Sequence, residues 1–202
     1  MIGTDAVLEL VHAPVDDAAV EAAGAAVAQV RAAEPDPTLR QVLGASAARP
    51  TGRAWLFGSA AANLRPAVEW AAVVAAVAAL DGSADAVAAG SVVAQAVASS
   101  LGPQHVAAGW CLETTAGLVG AAAGAARVLG LRDSALRYAI GIAATQASGL
   151  EAVAGTPVGA VQVGRAAATG VEAALLARNG FTAAEDPLAG RRGMYALMSA
   201  PR

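Results

Sequence analysis

The chain has 202 residues, which suits one domain large enough to bury a core of its own. Its net charge is -3 and its basic residues are scattered singly, so it lacks the electrostatic footprint of a nucleic-acid-binding protein. All 13 basic residues are arginine, because the sequence contains no lysine, and this excludes Schiff-base and lysine general-base chemistry.

The apolar content points to an all-α fold. Hydrophobic residues make up 56% of the chain and aromatic residues only 3%, and alanine, the strongest helix former, occupies 59 positions. Strand signals are absent. We therefore predict a compact all-α helical bundle that forms a single domain over residues 1–202.

The sequence also favours a cytoplasmic protein that does not enter a membrane. The single cysteine excludes an intrachain disulfide, and the N-terminus carries early acidic residues instead of the basic and apolar regions of a signal peptide. The apolar runs 71–80 and 116–126 are shorter than the roughly 20 residues that a bilayer requires, so we expect buried helices there.

Capping residues and breakers predict the helices of the first half of the chain. Thr4 and Asp16 can each cap a helix, and these two helices are expected to pair in antiparallel fashion. Turns are expected at 34–37 and 49–52, and Pro66 is expected in the first turn of a long helix. The predicted helices are 4–12, 16–33, 39–43, 65–80 and 85–100.

In the second half, Thr114 or Thr115 can cap a helix to about residue 129, and Gly130 separates it from the next. Further helices are predicted at 133–148, at 158–178 and, as a short one, within 186–198. Ala116, Gly120 and Gly124 recur every four residues, which predicts a face of small side chains that lets another helix approach closely.

The tract 109–131, Gly-Trp-Cys-Leu-Glu-Thr-Thr-Ala-Gly followed by a Gly- and Ala-rich helix, resembles the central signature of the MmgE/PrpD family. That family includes 2-methylcitrate dehydratase, aconitate decarboxylase and iminosuccinate epimerases. The segments 149–150 and 164–182 resemble its following helices, and 7–33 resembles its opening helices more weakly. The resemblance implies the helical domain of the family.

Several family positions carry different chemistry in this sequence. The family usually has a proton-transferring histidine at the position of Cys111. A lysine and a histidine that precede its Gly-Arg-Ala-Ala stretch correspond to Gly159 and Gln162, and its acidic, histidine-bearing segment corresponds to a stretch that offers Asn63. The resemblance also implies a following α/β lid domain. Because the sequence ends at Arg202, we expect a helical domain without that lid.

Three residues are candidates for acid–base or nucleophilic catalysis: Cys111, Glu113 and His105. Cys111 precedes a helix start, where the helix dipole can lower a thiol pKa, but it can equally be a small buried hydrophobe. Glu113 can carry protons if burial raises its pKa, or can simply complement a helix N-terminus. His105 is one of only two histidines that could titrate near neutrality, although a solvated loop histidine is the commoner case.

Further residues are candidates for binding the substrate. Thr114 and Thr115 can donate hydrogen bonds or cap a helix. Arg165 can orient a carboxylate or enolate oxygen, or form a surface pair with Glu172 or another acid. Trp70 can form the wall of a pocket or fill the core. The complete set of expected substrate-binding residues is Thr114, Thr115, Gln162, Arg165, Trp70 and Asn63.

No cofactor is expected. Two distant histidines and one cysteine do not make a metal site, and no glycine-rich nucleotide fingerprint follows a strand. We expect a homodimer, and the composition suggests a GC-rich bacterium as its source. The expected function is a lyase, isomerase or cyclase step on a small or medium organic molecule, carried out in a repurposed pocket. The alternative is a degenerate, non-catalytic relative that binds a partner or ligand, or one subunit of a split enzyme.

Overall fold

The computed structural model describes residues 1–199, and over these residues the fold is all-α, as predicted. No strand forms there, and three short 3₁₀ turns separate some of the helices. The helices are α1 (Thr4–His12), α2 (Asp17–Ala32), α3 (Pro37–Leu43), α4 (Pro50–Ala61), α5 (Ala71–Ala79), α6 (Ala84–Leu101), α7 (Pro103–Ala107), α8 (Ala116–Val128), α9 (Asp133–Gln146), α10 (Pro157–Arg178) and α11 (Met194–Met198).

Helix α10 is the centre of the packing. It contacts α4, α5, α8 and α9, and α6 packs on the other side of α8. Helices α5 and α8 are buried along most of their lengths. Because most of these contacts are made by alanine, glycine and valine, the helix axes can lie close together, and the core is built from short side chains.

The face of small residues on α8 is confirmed as a close helix contact. A Cβ at Gly120 would lie 2.6 Å from the carbonyl oxygen of Gly90 on α6, and a Cβ at Gly90 would lie 2.8 Å from the carbonyl oxygen of Gly120. A Cβ at Gly124 would lie 2.8 Å from Val77. Neither α6 nor α5 could approach α8 so closely if these positions carried side chains.

One helix, α6, is long and apolar enough to cross a membrane by length and composition, and no other helix in residues 1–199 passes that test. About 56% of that stretch is buried within the fold. Because buried core helices of soluble proteins pass the same test, it carries little weight as an indication of a membrane span.

The helix predicted at 65–80 starts later than expected, and this part of the prediction is wrong. Residues 65–70 form a loop, with a cis peptide bond before Pro66, and α5 begins at Ala71. The residue before it, Trp70, has a left-handed backbone (φ 51°) and provides no side-chain cap. The first amide groups of α5 are instead bonded by Glu113, more than 40 residues away, which local sequence could not reveal.

The turn expected at 49–52 is also wrong, because Pro50 occupies the first position of α4, where its missing N–H costs no hydrogen bond. Two capping predictions fail as well. Thr4 bonds Asp186 instead of capping α1, and Thr114 and Thr115 do not cap α8 with their side chains. Asp16 does cap α2, as predicted.

The antiparallel pairing expected between α1 and α2 is wrong too. Each of these helices packs more extensively against α6 than against any other helix, and the two make little contact with each other.

Candidate functional site

The signature tract begins as a loop that is fixed to the chain after α9. The N–H of Cys111 donates to the carbonyl of Gly149 at 3.2 Å, and the N–H of Glu151 donates to the carbonyl of Gly109 at 2.9 Å. Gly109 and Gly149 both have positive φ values, 92° and 122°, which glycine adopts readily. This ladder holds two loops side by side at one end of the bundle.

Gln162 on α10 extends the same arrangement. Its side-chain oxygen accepts from the N–H of Leu150 at 3.2 Å, and its side-chain nitrogen donates to the carbonyl of Leu150 at 3.0 Å. The amide therefore bonds both backbone groups of Leu150, as a neighbouring strand would. This interaction anchors the loop after α9 to α10.

An open cleft with a volume of 480 Å³ lies between this pair of loops, the end of α4 and the start of α10. Four of the residues expected in the site line it: Asn63, Cys111, Glu113 and Gln162. The other residues that contribute to its walls are mostly small and apolar, together with Glu151 and Thr156. The remaining lining residues are Ala61, Ala62, Ala67, Val68, Ala71, Val106, Leu112, Ala154, Gly155, Gly159, Ala160 and Val163.

Glu113 has the most perturbed carboxyl group of this cleft. Its oxygens accept hydrogen bonds from the N–H groups of Ala71 at 3.2 Å and Ala72 at 3.4 Å, at the N-terminus of α5. Burial raises the pKa of Glu113 to about 7, and these backbone hydrogen bonds oppose the shift without cancelling it. The residue as a whole is half-buried and contributes to the lining of the cleft, which is where a bound molecule would exchange a proton with it.

Cys111 lies beside Glu113 in sequence and in the cleft wall, and its side chain is almost buried. Burial raises the pKa of the Cys111 thiol, so the thiol-activating effect that we considered from the sequence is wrong. The helix that follows Cys111 is a single 3₁₀ turn of three residues, which supplies little dipole. The neutral thiol is the form expected at physiological pH.

His105 is not a solvated loop histidine. It lies on α7 with no exposed surface, and its Nε2 is 2.8 Å from Thr115 Oγ1 and its Nδ1 is 3.1 Å from the Met198 carbonyl. Burial lowers the pKa of His105. The hydroxyls of Thr114 and Thr115 both lie within bonding distance of the Cys111 carbonyl. The structure therefore places His105 and Thr115 inside the protein, away from the cleft lining.

Arg165 lines a second, smaller cavity of 200 Å³ that lies next to the cleft. Thr114 and Gln162 also line this cavity, so Gln162 belongs to both spaces. The Arg165 guanidinium lies 5.0 Å from the centre of the Trp55 ring, a cation–π contact. The pairing with Glu172 that we considered is not formed, because no arginine lies within ion-pair distance of Glu172 in residues 1–199.

Trp70 is separated from the cleft and belongs to the core and to another surface. Its ring packs over Gly117, where an added Cβ would lie 3.4 Å from the ring. Its other side borders a 600 Å³ apolar groove between α2 and α6. Of the two roles considered for Trp70 from the sequence, filling the core describes its position better than forming a wall of the cleft.

Glu151 and Thr156 were not singled out from the sequence. Both lie in the loop between α9 and α10, and only the hydrogen bonds of that loop to the signature tract bring them to the cleft. A sequence pattern offers no signal for such a pairing of distant loops. Within residues 1–199, no three His, Cys, Asp or Glu side chains are grouped so that they could hold a metal ion.

The architecture is thus that of an all-α domain whose signature loop, together with the start of α10, forms an open cleft. The MmgE/PrpD N-terminal domain matches residues 59–202, which covers everything from the last turn of α4 onward and includes the whole cleft. The chain belongs to the MmgE/PrpD family. Among proteins with curated descriptions, none matches the chain.

Proposed function

We propose that this protein is an enzyme that moves a proton on a small or medium organic substrate bound in the cleft, in a lyase, isomerase or cyclase step. The observation that carries the proposal is the carboxyl group of Glu113. Its pKa of about 7 lets it exchange a proton readily at neutral pH, and it lies at the wall of a cavity of substrate size.

Glu113 is the proton-transferring group in this proposal. In its ionised form it takes a proton from an acidic C–H bond. The electron pair left on carbon then either expels a leaving group, which is an elimination, or takes up a proton at another position, which is an isomerisation. The side-chain amides of Asn63 and Gln162 can hold polar atoms of the substrate, and Cys111 contributes a neutral, nearly buried thiol to the wall.

Isotope exchange tests the proposal whatever the leaving group is, because it detects the proton transfer itself. The protein is incubated in D₂O with a panel of hydroxy acids, keto acids and amines that carry an acidic C–H, and deuterium incorporation is followed by proton NMR. We expect the Glu113→Gln variant to lose about 100-fold or more of the exchange rate seen for the best compound. Glu21→Gln, at an exposed position on α2, is the matched control and should keep the full rate.

A compound that is turned over equally fast by the wild type and by Glu113→Gln would remove Glu113 from the mechanism. Exchange that is lost equally in Glu21→Gln would indicate a nonspecific effect of the substitution. The dehydration of a tricarboxylate is not part of the proposal, because the cleft lining contains neither an arginine nor a histidine within residues 1–199.

A non-catalytic ligand-binding module, or one subunit of a split enzyme, is the second candidate. Two backbone hydrogen bonds to Glu113 favour this candidate. They cap the N-terminus of α5, and this structural role would explain the position of Glu113 even if the residue took no part in catalysis. The discriminating result is binding of a compound in the cleft by NMR with no exchange or turnover. A reading frame next to the gene of this protein that encodes a separate lid domain would support the split enzyme.

We further propose that the protein is a cytoplasmic homodimer. The proposal for the dimer is supported by the open, apolar groove beside α2, which is lined largely by alanine and valine. The single cysteine supports the proposed compartment.

A further inference from the structure

The 200 Å³ cavity beside the cleft has a largely polar wall. Gln162, Arg165 and Thr169 line it from α10, and because they are three and four residues apart they project from one face of that helix. Thr114 of the signature tract and Ser148 of the loop after α9 also contribute to the wall. Within residues 1–199 the lining contains one cation, Arg165, and no carboxylate.

Arg165 carries its charge without a carboxylate partner. No acid lies within ion-pair distance of its guanidinium in the described part of the chain. The guanidinium lies 5.0 Å from the centre of the Trp55 ring, so a cation–π contact holds it from one face. A guanidinium can donate two parallel N–H bonds to one carboxylate or phosphate group, and Arg165 has these donors available.

Thr169 is an independent indication of a ligand, because its hydroxyl is nearly buried and has no partner. The residue is 8% exposed, and over residues 1–199 the side-chain hydrogen bonds of α10 and its ends are made by Thr156, Gln162 and Asn179. Four polar groups of this part of the chain are unpaired and fully enclosed, and the Thr169 hydroxyl is not one of them. It therefore keeps accessible surface towards the cavities that the residue lines, where a bound molecule can satisfy it.

We propose that this cavity binds an oxyanion group, such as a carboxylate or a phosphate, held by the Arg165 guanidinium and by the hydroxyl of Thr169. The site is separate from the catalytic cleft, and the inference does not depend on the proposed function. Pockets that enclose a whole organic ligand have volumes of about 300 Å³ or more, so this cavity suits a small ion or the anionic end of a larger molecule. Glu172 lines an adjoining cavity of 280 Å³ together with Arg165 and Thr169, so its charge opposes the binding and keeps the affinity low.

Titration with small anions tests the site directly. Inorganic phosphate, acetate and the neutral analogue acetamide are added to the full chain at constant ionic strength, and amide NMR follows residues 148–149 and 165–169. We expect saturable shifts for at least one of the two anions, with a dissociation constant of about 1–10 mM, and none of comparable size for acetamide. Shifts of equal size with acetamide would overturn the inference.

Charge variants separate a specific site from general electrostatic attraction. Arg165→Gln should weaken the binding at least about tenfold, because charge-assisted hydrogen bonds are lost. Arg178→Gln, at an exposed position of the same helix, removes the same charge and should leave the affinity unchanged. Glu172→Gln should tighten the binding about twofold. Equal weakening in the two arginine variants would contradict the proposal.

Thr169→Val tests the hydroxyl without changing the shape of the side chain. Because the hydroxyl has no partner in the protein, the variant should unfold at the same or a higher urea concentration than the wild type in a buffer without oxyanions. Its affinity for the better-binding anion should fall about fivefold. A variant that loses stability in that buffer and binds the anion as tightly as the wild type would show a purely structural hydroxyl and would contradict the proposal.

Hexanoate identifies the source of the oxyanion. It has the carboxylate of acetate and adds a hydrocarbon tail that can extend towards the cleft, with which the cavity shares Gln162. Tighter binding than acetate, with shifts at residues 111–113, assigns the cavity to the anionic end of a larger molecule, whereas equal affinities without those shifts assign it to a free ion. The inference fails if phosphate, acetate and hexanoate all produce no saturable shift, and that result leaves proton exchange at Glu113 to be judged separately.

Discussion

Glu113 shows how one side chain can be both a structural group and a chemical one. Its carboxyl group bonds the first amides of α5, and the residue also contributes to the lining of the cleft. The amides favour the ionised form, whereas burial favours the neutral form, and burial is the larger effect. The residue is therefore close to half ionised at neutral pH, which suits both giving and taking a proton.

The shifted pKa of Glu113 predicts a pH-dependent stability. The pKa is raised from 4.5 to about 7, so the folded state binds more protons than the unfolded state between these values. The contribution of Glu113 to the free energy of unfolding is thus fully present below pH 4.5 and is lost as the pH rises through 7, by up to about 3 kcal/mol. Urea unfolding of wild type and Glu113→Gln at pH 4.5 and pH 8 measures it.

As the pH rises from 4.5 to 8, the free energy of unfolding of Glu113→Gln should increase relative to that of the wild type, because glutamine carries no charge that must be buried. The comparison at equal pH cancels the titration of His105, whose lowered pKa acts in the opposite direction below pH 6.5. A wild-type-minus-variant difference that is the same at pH 4.5 and pH 8 would contradict the shifted pKa.

The buried hydroxyl of Thr115 supports a second prediction at the residue scale. It lies within hydrogen-bond distance of both His105 Nε2 and the Cys111 carbonyl, and all three residues are buried. Thr115→Val keeps the shape but leaves the histidine nitrogen and the carbonyl without this partner, and we expect a loss of about 1–3 kcal/mol in unfolding free energy.

Thr145→Val is the matched control for that substitution, because Thr145 is exposed and its hydroxyl bonds only groups of its own helix. Its effect should stay within about 0.5 kcal/mol. Equal effects of the two substitutions in chemical unfolding would show that the buried network contributes no more than a surface hydroxyl.

Helix packing in this fold depends on the places where side chains are missing. The clearest case is the crossing of α4 and α10, where Gly58 and Gly164 face each other and a Cβ at Gly58 would lie 2.7 Å from the Gly164 Cα. A Cβ at Gly164 would collide with Ser59 Oγ and the Trp55 carbonyl. This crossing positions Gln162, two residues before Gly164, and so connects helix packing with the cleft.

Gly164→Ala should therefore destabilise the protein by about 1–3 kcal/mol through overpacking. The matched change is Gly24→Ala on α2, where the added Cβ would meet only Ala84 at an ordinary 3.8 Å. That substitution should stabilise by about 0.5–1 kcal/mol, because alanine is the better helix former. Thermal and urea unfolding measure both, and the same sign for the two variants would contradict the argument.

The elements with local signals were predictable from the sequence. Alanine-rich segments with clear stops predicted α6, α8, α9 and α10 within a few residues, and the four-residue spacing on α8 predicted its close contacts. The start of α5 could not be predicted, because its cap is the distant Glu113. The same holds for the cleft: Cys111 and Glu113 were identifiable from the signature, whereas Glu151 reaches it through a loop pairing.

At the scale of the whole molecule, the cleft and the apolar groove lie on different helices. The cleft is built on the signature loop and α10, and the groove lies between α2 and α6. Trp70 and the loop before α5 lie between them, since residues 67–68 line both spaces. Apart from residues 67–68, substitutions can therefore alter one surface without altering the other.

The proposed dimer predicts a mass of about 39 kDa by light scattering, twice the 19.6 kDa of the chain. Ala25→Glu places a charge in the groove and should shift the protein to the monomer. Ala28→Glu, at another exposed position of α2 outside the groove, should leave the mass unchanged. A wild-type mass near that of the single chain would contradict the dimer.

The double hydrogen bond between Gln162 and Leu150 has a consequence for the size of molecule that the protein can accommodate. While it is bonded to Leu150, the amide side chain of Gln162 lines both the cleft of 480 Å³ and the cavity of 200 Å³. If those hydrogen bonds break and the side chain rotates away, we expect the two spaces to join, which would let a longer guest reach the guanidinium of Arg165.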